Sequence, residues 1–522
     1  MQAFIAREHT LGILEGRAGR SNVYFGSLNG ALGFKKLTQS LHIPSVNNAV
    51  LERPCLWLVV YMAVSAALYF LVTHFPMGPV RIIEASGFDK HIPLVVYTVP
   101  LYLSYLALMP TLVYLGRRTT WLIPGFFAAA LAAAICLVIH LFWPTLIVRP
   151  QTDLAWLLWL YQMDPPLAAS PSGHIALPVA IGVCLAGLRV RHAATFALWS
   201  AVLAVSVLTT GQHVVFDVIY GIAVGVACGL ATLLIKRLTI DMRTMGAILL
   251  EWLCIIVTLR IALYSHSGLL YVAAAVIIAT RQHALFILYH DATHYHLTRR
   301  RHVNDFLINM AIGVPGCVPV EVYRPLHLEH HQHLGTSADP ERRFLYHGQP
   351  WTFRPLNTKQ LLQQLTGDLF IVNTVRNLRA YKQSGGTSPA LTRPLAGAVL
   401  VWLVIITTLV WTCSARQMAL LAMLWFIPLV TLGSLLQKIR SMAEHSGGPG
   451  ITPGWQEWTY AWRVGWLGRF FIWPYHINLH LQHHRTASLP WHALPSAVRP
   501  TEQLLPSRAL LALLWSGCRQ RP

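Results

Sequence analysis

The sequence predicts an all-α integral membrane protein, with a six-span bundle followed by a four-span domain that carries a cytoplasmic cap. Composition is the first observation: the 522 residues are 55% hydrophobic and only 11% charged, and the mean hydropathy is +0.49. A soluble domain has roughly twice that share of charged residues. The second observation is a series of apolar runs of about 18 or more residues, each long enough to cross a bilayer as a helix.

Ten apolar segments fit membrane spans, six in the first half and four in the second. They begin at Leu56, Ile92, Trp121, His174, Thr195, Val214, Gly246, Gly268, Ala396 and Gln417. The stretch FLINMAIGVPGCVPV from Phe306 is short and interrupted by Gly and Pro, so we expect a re-entrant or surface helix there. The predicted domains are a cytoplasmic segment over 1–55, a first membrane domain over 56–240 and a second over 246–505.

Basic residues predict the orientation of the spans. Residues 1–55 lack the apolar core of a signal peptide, so we expect them to be cytoplasmic. Lys and Arg then fall in alternate loops on the inside, for example at Arg117, Arg189 and Lys236. The net charge of +20 therefore indicates topology and contact with anionic lipid rather than binding of nucleic acid. The eight cysteines form no CxxC pair, which argues against a disulfide framework or a thiolate metal site.

Histidines form three clusters in the second half: HDATH at 290–294, HLEHH at 327–331 and HLQHH at 480–484. Spacings of three and four residues place imidazoles on one face of a helix. Ligation by nitrogen alone favours iron, copper or zinc over magnesium or calcium. A solvated, zinc-buffering tract is the simpler interpretation of one cluster. Three clusters, each beside a span and all on one predicted face, favour an organised metal site.

The ordered trio resembles the membrane fatty acid desaturases, which carry HxxxH, HxxHH and HxxHH boxes on the cytoplasmic ends of four membrane helices. The resemblance covers about residues 246–495 and implies two iron ions and dioxygen acting on an acyl chain of a membrane lipid. It also implies an external electron donor, such as a ferredoxin or cytochrome, because the chain has no haem, flavin or nicotinamide fingerprint. With His445 in RSMAEH as an additional ligand, the implied metal ligands are His290, His294, His327, His330, His331, His445, His480, His483 and His484.

Other outcomes remain open at this point. The same iron site in relatives with three boxes hydroxylates its substrate or inserts a ketone. A histidine-rich metal-binding or metal-transporting membrane protein is a further alternative, and it predicts polar ligands along the spans. The carboxylates Asp291, Glu329 and Glu444 lie beside the boxes. We expect them to orient imidazoles through the second ring nitrogen, although they fit equally as surface charges.

A different set of polar residues lies in the first half, in RP at 149–150, SPSGH at 170–174 and TTGQHVVFD at 209–217. His213 and Asp217 are four residues apart, so the carboxylate can orient the imidazole as a nucleophile. His174 falls where a helix begins, so the backbone amides of Ser172 and Gly173 can face phosphate oxygens while His174 protonates a leaving group. Ordinary helix caps are the simpler interpretation of each motif alone.

In this order the motifs resemble the type-2 phosphatidic acid phosphatase superfamily, whose pattern is KxxxxxxRP, PSGH and SRxxxxxHxxxD on six spans. The resemblance covers about residues 55–240 and implies the catalytic residues His213, Asp217, His174, Arg149, Ser172 and Gly173. Two cations of the pattern are missing, because Phe142 replaces its lysine and LTTGQH lacks its Ser-Arg pair. A lipid phosphatase, a head-group phosphotransferase of the sphingolipid-synthase kind and an inactive domain all fit. Topology predicts this site outside or in the periplasm of a bacterial inner membrane, opposite a cytoplasmic iron site.

Overall fold

The structure is a computed structural model that describes residues 54–75, 79–334, 336, 338–340, 358–383, 390–445, 459–502, 504–507 and 509–510. The predicted cytoplasmic segment over 1–55 falls almost wholly outside the described residues, so it stays a prediction. Both predicted membrane domains belong to one compact unit, Arg53–Pro522.

Eight helices lie in the described residues of the first half. Their bounds are α1 Pro54–His74, α2 Val99–Leu103, α3 Leu108–Gly116, α4 Leu122–Phe142, α5 Ala155–Met163, α6 Gly173–Gly187, α7 Ala193–Thr209 and α8 Val215–Arg237. Short 3-10 turns cover Asp89–His91, Val96–Thr98 and Ser104–Ala107. Strand β1 (Arg81–Ile83) pairs in parallel with β2 (Thr145–Ile147).

The second half is also helical. Its helices are α9 Met242–Ser265, α10 Gly268–Ala292, α11 Arg301–Ile308, α12 Val320–His333, α13 Thr358–Leu369, α14 Val372–Gln383, α15 Arg393–Thr412, α16 Ala415–Val430, α17 Leu432–Glu444, α18 Trp466–Phe471 and α19 His480–Arg485. A π-helical turn covers Asn309–Gly313, and 3-10 turns cover Pro474–Leu479 and Trp491–Ala497. The two-residue strands β3 (Trp462–Arg463) and β4 (Leu505–Pro506) pair in parallel.

Seven helical segments in the described residues are long and apolar enough to cross a membrane. They are Val96–Gly116, Leu122–Phe142, Val215–Arg237, Met242–Ser265, Gly268–Ala292, Arg393–Thr412 and Ala415–Glu444. Three shorter apolar helices, Leu58–His74, Gly173–Gly187 and Ala193–Thr209, fall where the other three spans are predicted. The all-α membrane class is confirmed, and the count of ten spans stays a prediction.

Glycines allow α6 and α8 to pack closely. Gly221, Gly225 and Gly229 recur every four residues along α8, as in close-packed membrane helices. A Cβ atom at Gly225 would lie 2.6 Å from the carbonyl oxygen of Ala176, and one at Gly221 would lie 2.7 Å from that of Ser172. This contact aligns the first turns of the two helices, and it therefore brings the segments around His174 and His213 to the same end of the bundle.

The broken segment after α11 is supported by tryptophans from the neighbouring spans. The indole nitrogen of Trp402 donates to the carbonyl of Met310 at 2.7 Å, and that of Trp252 donates to Ala311 at 2.9 Å. Trp425 donates in the same way to Pro315 at 2.9 Å. Irregular backbone at membrane depth needs such partners because lipid offers none. The segment predicted to be re-entrant is thus held against α9, α15 and α16.

The two halves meet at the carboxyl end of α8. The amide of Asp241 donates to the carbonyl of Leu297 at 2.8 Å, and the hydroxyl of Thr298 donates to Leu238 at 3.0 Å. Leu297 and Thr298 follow the first histidine box, whereas Asp217 lies in the first turn of α8. A helix of 23 residues is about 35 Å long. The histidine boxes and the His213–Asp217 pair therefore lie at opposite ends of α8.

The glycine contact gives a test of this packing. Gly225→Ala should lower the free energy of unfolding by about 1–3 kcal/mol, since the added methyl group meets backbone and cannot be accommodated without moving a helix. Gly246→Ala in α9 is the matched control, because its nearest neighbours would lie at an ordinary 3.7 Å. The measurement is the folded fraction in detergent after graded heating. Equal behaviour of the two variants would contradict the close packing.

Candidate metal centre and a second polar site

The nine predicted ligands come from four parts of the second half. His290 lies in the last turn of α10, and His294 lies in the turn that follows. The second box is in α12, His445 follows α17, and the third box forms α19. All nine lie on the side where α10 ends, and most of their side chains are buried. Residues far apart in the sequence are thus gathered in one place.

Five imidazoles form the first group. One nitrogen from each of His290, His327, His331 and His483 lies within 4.8 Å of the others. The Nε2 atom of His331 is 3.1 Å from the Nε2 atoms of both His327 and His483. His294 joins this group, because its Nε2 atom lies 2.9 Å from that of His327.

Four imidazoles form the second group. The nitrogens of His330, His445, His480 and His484 also lie within 4.8 Å of one another. The Nε2 atom of His480 is 3.2 Å from that of His445 and 3.0 Å from that of His484. The described residues therefore provide two adjacent sets of nitrogen donors, each large enough for one metal ion.

The donor geometry and protonation fit a metal ion. Imidazole nitrogens bind such ions at about 2.1 Å, so neighbouring ligands at right angles lie about 3 Å apart. Burial lowers the pKa of His331 to about 2 and holds the pKa values of His483 and His484 well below their ordinary range. These rings are therefore neutral, which is the form that binds a metal. The residues present fit two iron ions.

Carboxylates lie beside some of the imidazole rings. Only some of these carboxylates are the ones that the sequence predicts. Both carboxylate oxygens of Asp339 lie 3.0 Å from the Nδ1 atom of His330. Glu444 lies 3.5 Å from the Nδ1 atom of His480. Sequence reasoning missed Asp339 because it follows the second box in a turn, where helical spacing gives no signal.

The other two carboxylates have different positions. Asp291 accepts a hydrogen bond from the Nδ1 atom of His296 at 2.8 Å, and His296 is not among the predicted ligands. Glu329 is exposed on α12, so it fits the surface charge that the sequence left open. The expectation that it orients an imidazole is not supported, because its side chain is exposed.

The polar residues of the first half meet at the amino ends of α6 and α8. The Nδ1 atom of His213 lies 3.5 Å from the carboxylate of Asp217, and both side chains are buried. The ring centroids of His174 and His213 are 5.6 Å apart. The guanidinium of Arg149 donates to the carbonyl of Tyr161 at 3.0 Å and to the side chain of Gln212. The arrangement can place a nucleophile, a proton donor and a cation around one small group.

The structure does not support one role predicted for this site, the contact between the backbone amide of Ser172 and a phosphate oxygen. The backbone amide of Ser172 donates to the carbonyl of Asp217 at 3.1 Å, so it is not available to a phosphate oxygen. The hydroxyl of Ser172 is buried without a partner among the described residues. Gly173 is the first residue of α6.

Residues 267–512 match the family model described as fatty acid desaturase. This part of the chain is a fatty acid desaturase domain. A similar protein is beta-carotene 4-ketolase 3 of Haematococcus lacustris, which is 25% identical over 263 residues, covering 48% of this chain and 69% of the relative. No solved structure matches the chain significantly.

The desaturase domain contains all nine predicted metal ligands and Asp339. The domain match does not extend to residues 56–240, so the phosphatase-like domain and its catalytic residues stay predictions. The distances around His213 are consistent with that interpretation, but they do not by themselves establish an activity.

The contact with Asp339 gives a test of the second donor group. Asp339→Asn should weaken iron binding about 10–100-fold, since the carboxylate that fixes the His330 ring is lost. Glu329→Gln is the matched control, because it removes an exposed carboxylate next to His330. Iron retained per chain is measured in competition with a chelator. Equal retention by the two variants would show that Asp339 does not support the site.

Proposed function

We propose that the desaturase domain is a di-iron, dioxygen-dependent enzyme that desaturates an acyl chain of a membrane lipid. The observation that carries the proposal is the pair of buried nitrogen donor groups within a domain that matches the fatty acid desaturases. The first group would hold one iron ion and the second group the other. When bound, the two ions supply the strong oxidant that dioxygen alone does not provide at an unactivated C–H bond.

The overall reaction needs an external electron donor. Dioxygen accepts four electrons: two leave the lipid with two hydrogen atoms, and two come from the donor together with two protons. The products are the alkene and two water molecules. We infer a ferredoxin or a cytochrome as the donor, and we infer that it docks on the cytoplasmic face. The basic residues that follow α3, α6 and α8 support a cytoplasmic position for this end, as in a bacterial inner membrane.

The surrounding residues support an oxidation in the membrane. Asp339 contacts the Nδ1 atom of His330 at 3.0 Å, and Glu444 lies 3.5 Å from the Nδ1 atom of His480, on the side of each ring away from Nε2. Buried apolar residues of α9 and α10, including Ile255 and Leu288, pack beneath the site. They keep water away from the reacting carbon, and a lipid chain can approach from the bilayer without leaving it.

Replacement of a ligand should remove the product. In cells that express the protein, lipid mass spectrometry should find an acyl lipid two hydrogen atoms lighter, and His483→Ala should abolish it because a ligand of the first group is lost. His302→Ala is the matched control, since this histidine is exposed on α11. The same product from His483→Ala as from the control would contradict the proposal.

A second candidate is hydroxylation or ketone formation on the same site. The similarity to a protein named beta-carotene 4-ketolase favours it. In hydroxylation one oxygen atom enters the C–H bond, and the other leaves as water with two electrons and two protons supplied through the external donor. A second hydroxylation of the same kind at that carbon and loss of water give the ketone. The mass experiment separates these reactions, because the product then gains an oxygen atom rather than losing only hydrogen.

A metal-binding or transporting role has less support. The described ligands gather at one end of the helices, whereas a transport path needs polar groups along the spans. Within the second-half spans, the buried Glu251 is paired with Arg281 at 3.0 Å and accepts a hydrogen bond from Tyr475 at 2.5 Å. This network is satisfied within the protein, and it ties α9 and α10 to the turn before the third box.

We also propose that the first half transfers or hydrolyses a lipid phosphoryl group, on the evidence of the His213–Asp217–His174 geometry. Asp217 lies 3.5 Å from Nδ1 of His213 and would orient that ring, so Nε2 attacks phosphorus while the P–O bond to the leaving group breaks. His174 gives its proton to the departing oxygen. Water or another alcohol then attacks the phosphohistidine, returning the proton to His174 and freeing His213. Arg149 lies at the same end of the bundle, where its positive charge would offset the negative charge of the phosphate group.

This activity should depend on His213 and not on the iron site. His213→Ala should lower phosphate or head-group release from labelled lipid vesicles at least about 100-fold, because no nucleophile remains. His192→Ala, before α7 at the other end of the bundle, should leave release unchanged, and both variants should keep their iron. Equal release by the two variants would contradict the assignment.

A further inference from the structure

A third histidine lies beside the pair formed by His174 and His213. His140 is in the last turn of α4, and it is buried with 8% of its surface exposed. It interacts electrostatically with His213 and Asp217 and faces the backbone of Ser170. No motif of the first half includes it. Nδ1 of His140 is buried and has no hydrogen-bond partner among the described residues.

Other polar groups at this end share that property. The hydroxyl of Ser172, the side-chain amide nitrogen of Gln212 and Nε of Arg149 are all buried without a partner in the described part of the chain. Each can donate a hydrogen bond. Leaving a buried donor unsatisfied is costly, so such groups are expected to have a partner such as an ordered water or a ligand. Several donors from different elements suit a small group with several acceptor oxygens.

We propose that His140 binds a phosphoryl oxygen at this site, donating from Nδ1 beside Ser172, Gln212 and Arg149. The proposal rests on the phosphoryl-transfer function proposed above. The ligand class is a tetrahedral phosphate ester or phosphate ion, which has enough acceptor oxygens for these donors. The position where the motif places a lysine supplies no hydrogen-bond donor, because it holds Phe142, which is half exposed at the end of α4. His140, two residues earlier, lies on the buried side of that helix.

The positions of the two ring nitrogens also explain how the imidazole of His140 can bind a phosphate group. A ring that donates from Nδ1 while its other nitrogen faces a backbone carbonyl is the imidazolium form. The negative charge of a phosphate group stabilises that form. His140 is therefore a substrate-binding residue that takes up its positive charge only when the phosphate group is bound. His174 moves a proton, and His213 forms the bond to phosphorus.

The test uses the full-length iron-loaded protein in detergent. Equilibrium dialysis measures binding of labelled inorganic phosphate, and phosphate release from a short-chain lipid phosphate ester gives kcat and KM. His140→Ala should weaken phosphate binding at least about tenfold and raise KM for the ester. His140→Lys should recover binding, because an ammonium group also donates to phosphate oxygens. His192→Ala should resemble the unmodified protein, and iron content should be the same in all variants.

The outcomes separate the two proposals. Unchanged phosphate binding and KM in His140→Ala, with turnover lost in His213→Ala, would overturn the role of His140 and leave phosphoryl transfer standing. Absence of both binding and turnover in the unmodified protein would overturn both. Ester turnover that depends on His140 without binding of inorganic phosphate would show that the site selects the lipid ester rather than the free ion. Weakened binding in His140→Ala that His140→Lys does not recover would overturn hydrogen bonding as the cause.

Discussion

The second half depends on one geometric constraint: adjacent histidines on a helix point about 100° apart. In HLEHH, His327 and His331 are four residues apart and enter the first donor group, whereas His330 enters the second. In HLQHH the assignment is reversed, since His480 and His484 enter the second group and His483 enters the first. The second and third boxes therefore each contribute to both groups, whereas His290 and His294 enter the first group alone and His445 the second.

The rest of the domain keeps those helices in place. Asp339 contacts the outer nitrogen of His330 at 3.0 Å, and Glu444 lies 3.5 Å from that of His480. Tryptophans from three spans satisfy the irregular backbone that leads into α12. The buried ion pair between Glu251 and Arg281 joins the spans to the turn before α19. Both ends of α8 make close contacts: one packs on α6 through glycines, and the segment that follows the other is bonded to the segment after the first box. Chemistry at the two ends would act on opposite membrane faces, so a lipid used at both would have to flip.

The sequence predicted much of this because the strongest signals are local. Apolar length marks the spans, and spacing within each box places imidazoles on common faces. The partner of His330 was not predictable, because Asp339 reaches it from a turn with no periodic pattern. The hydrogen bond from the Ser172 amide to Asp217 depends on the distance between α6 and α8. The glycine spacing predicts that the helices pack closely but does not predict which atoms meet. His140 gave no signal, since a single histidine in an apolar span is ordinary until its neighbours are known.

The most direct test of the account is iron analysis of the purified full-length protein, combined with X-ray absorption at the iron edge. We expect two iron ions per chain, with a first shell of imidazole nitrogen at about 2 Å and no sulfur. Zinc in place of iron, a single ion, or a shell that contains thiolate would contradict the two donor groups and the oxidative chemistry inferred from them.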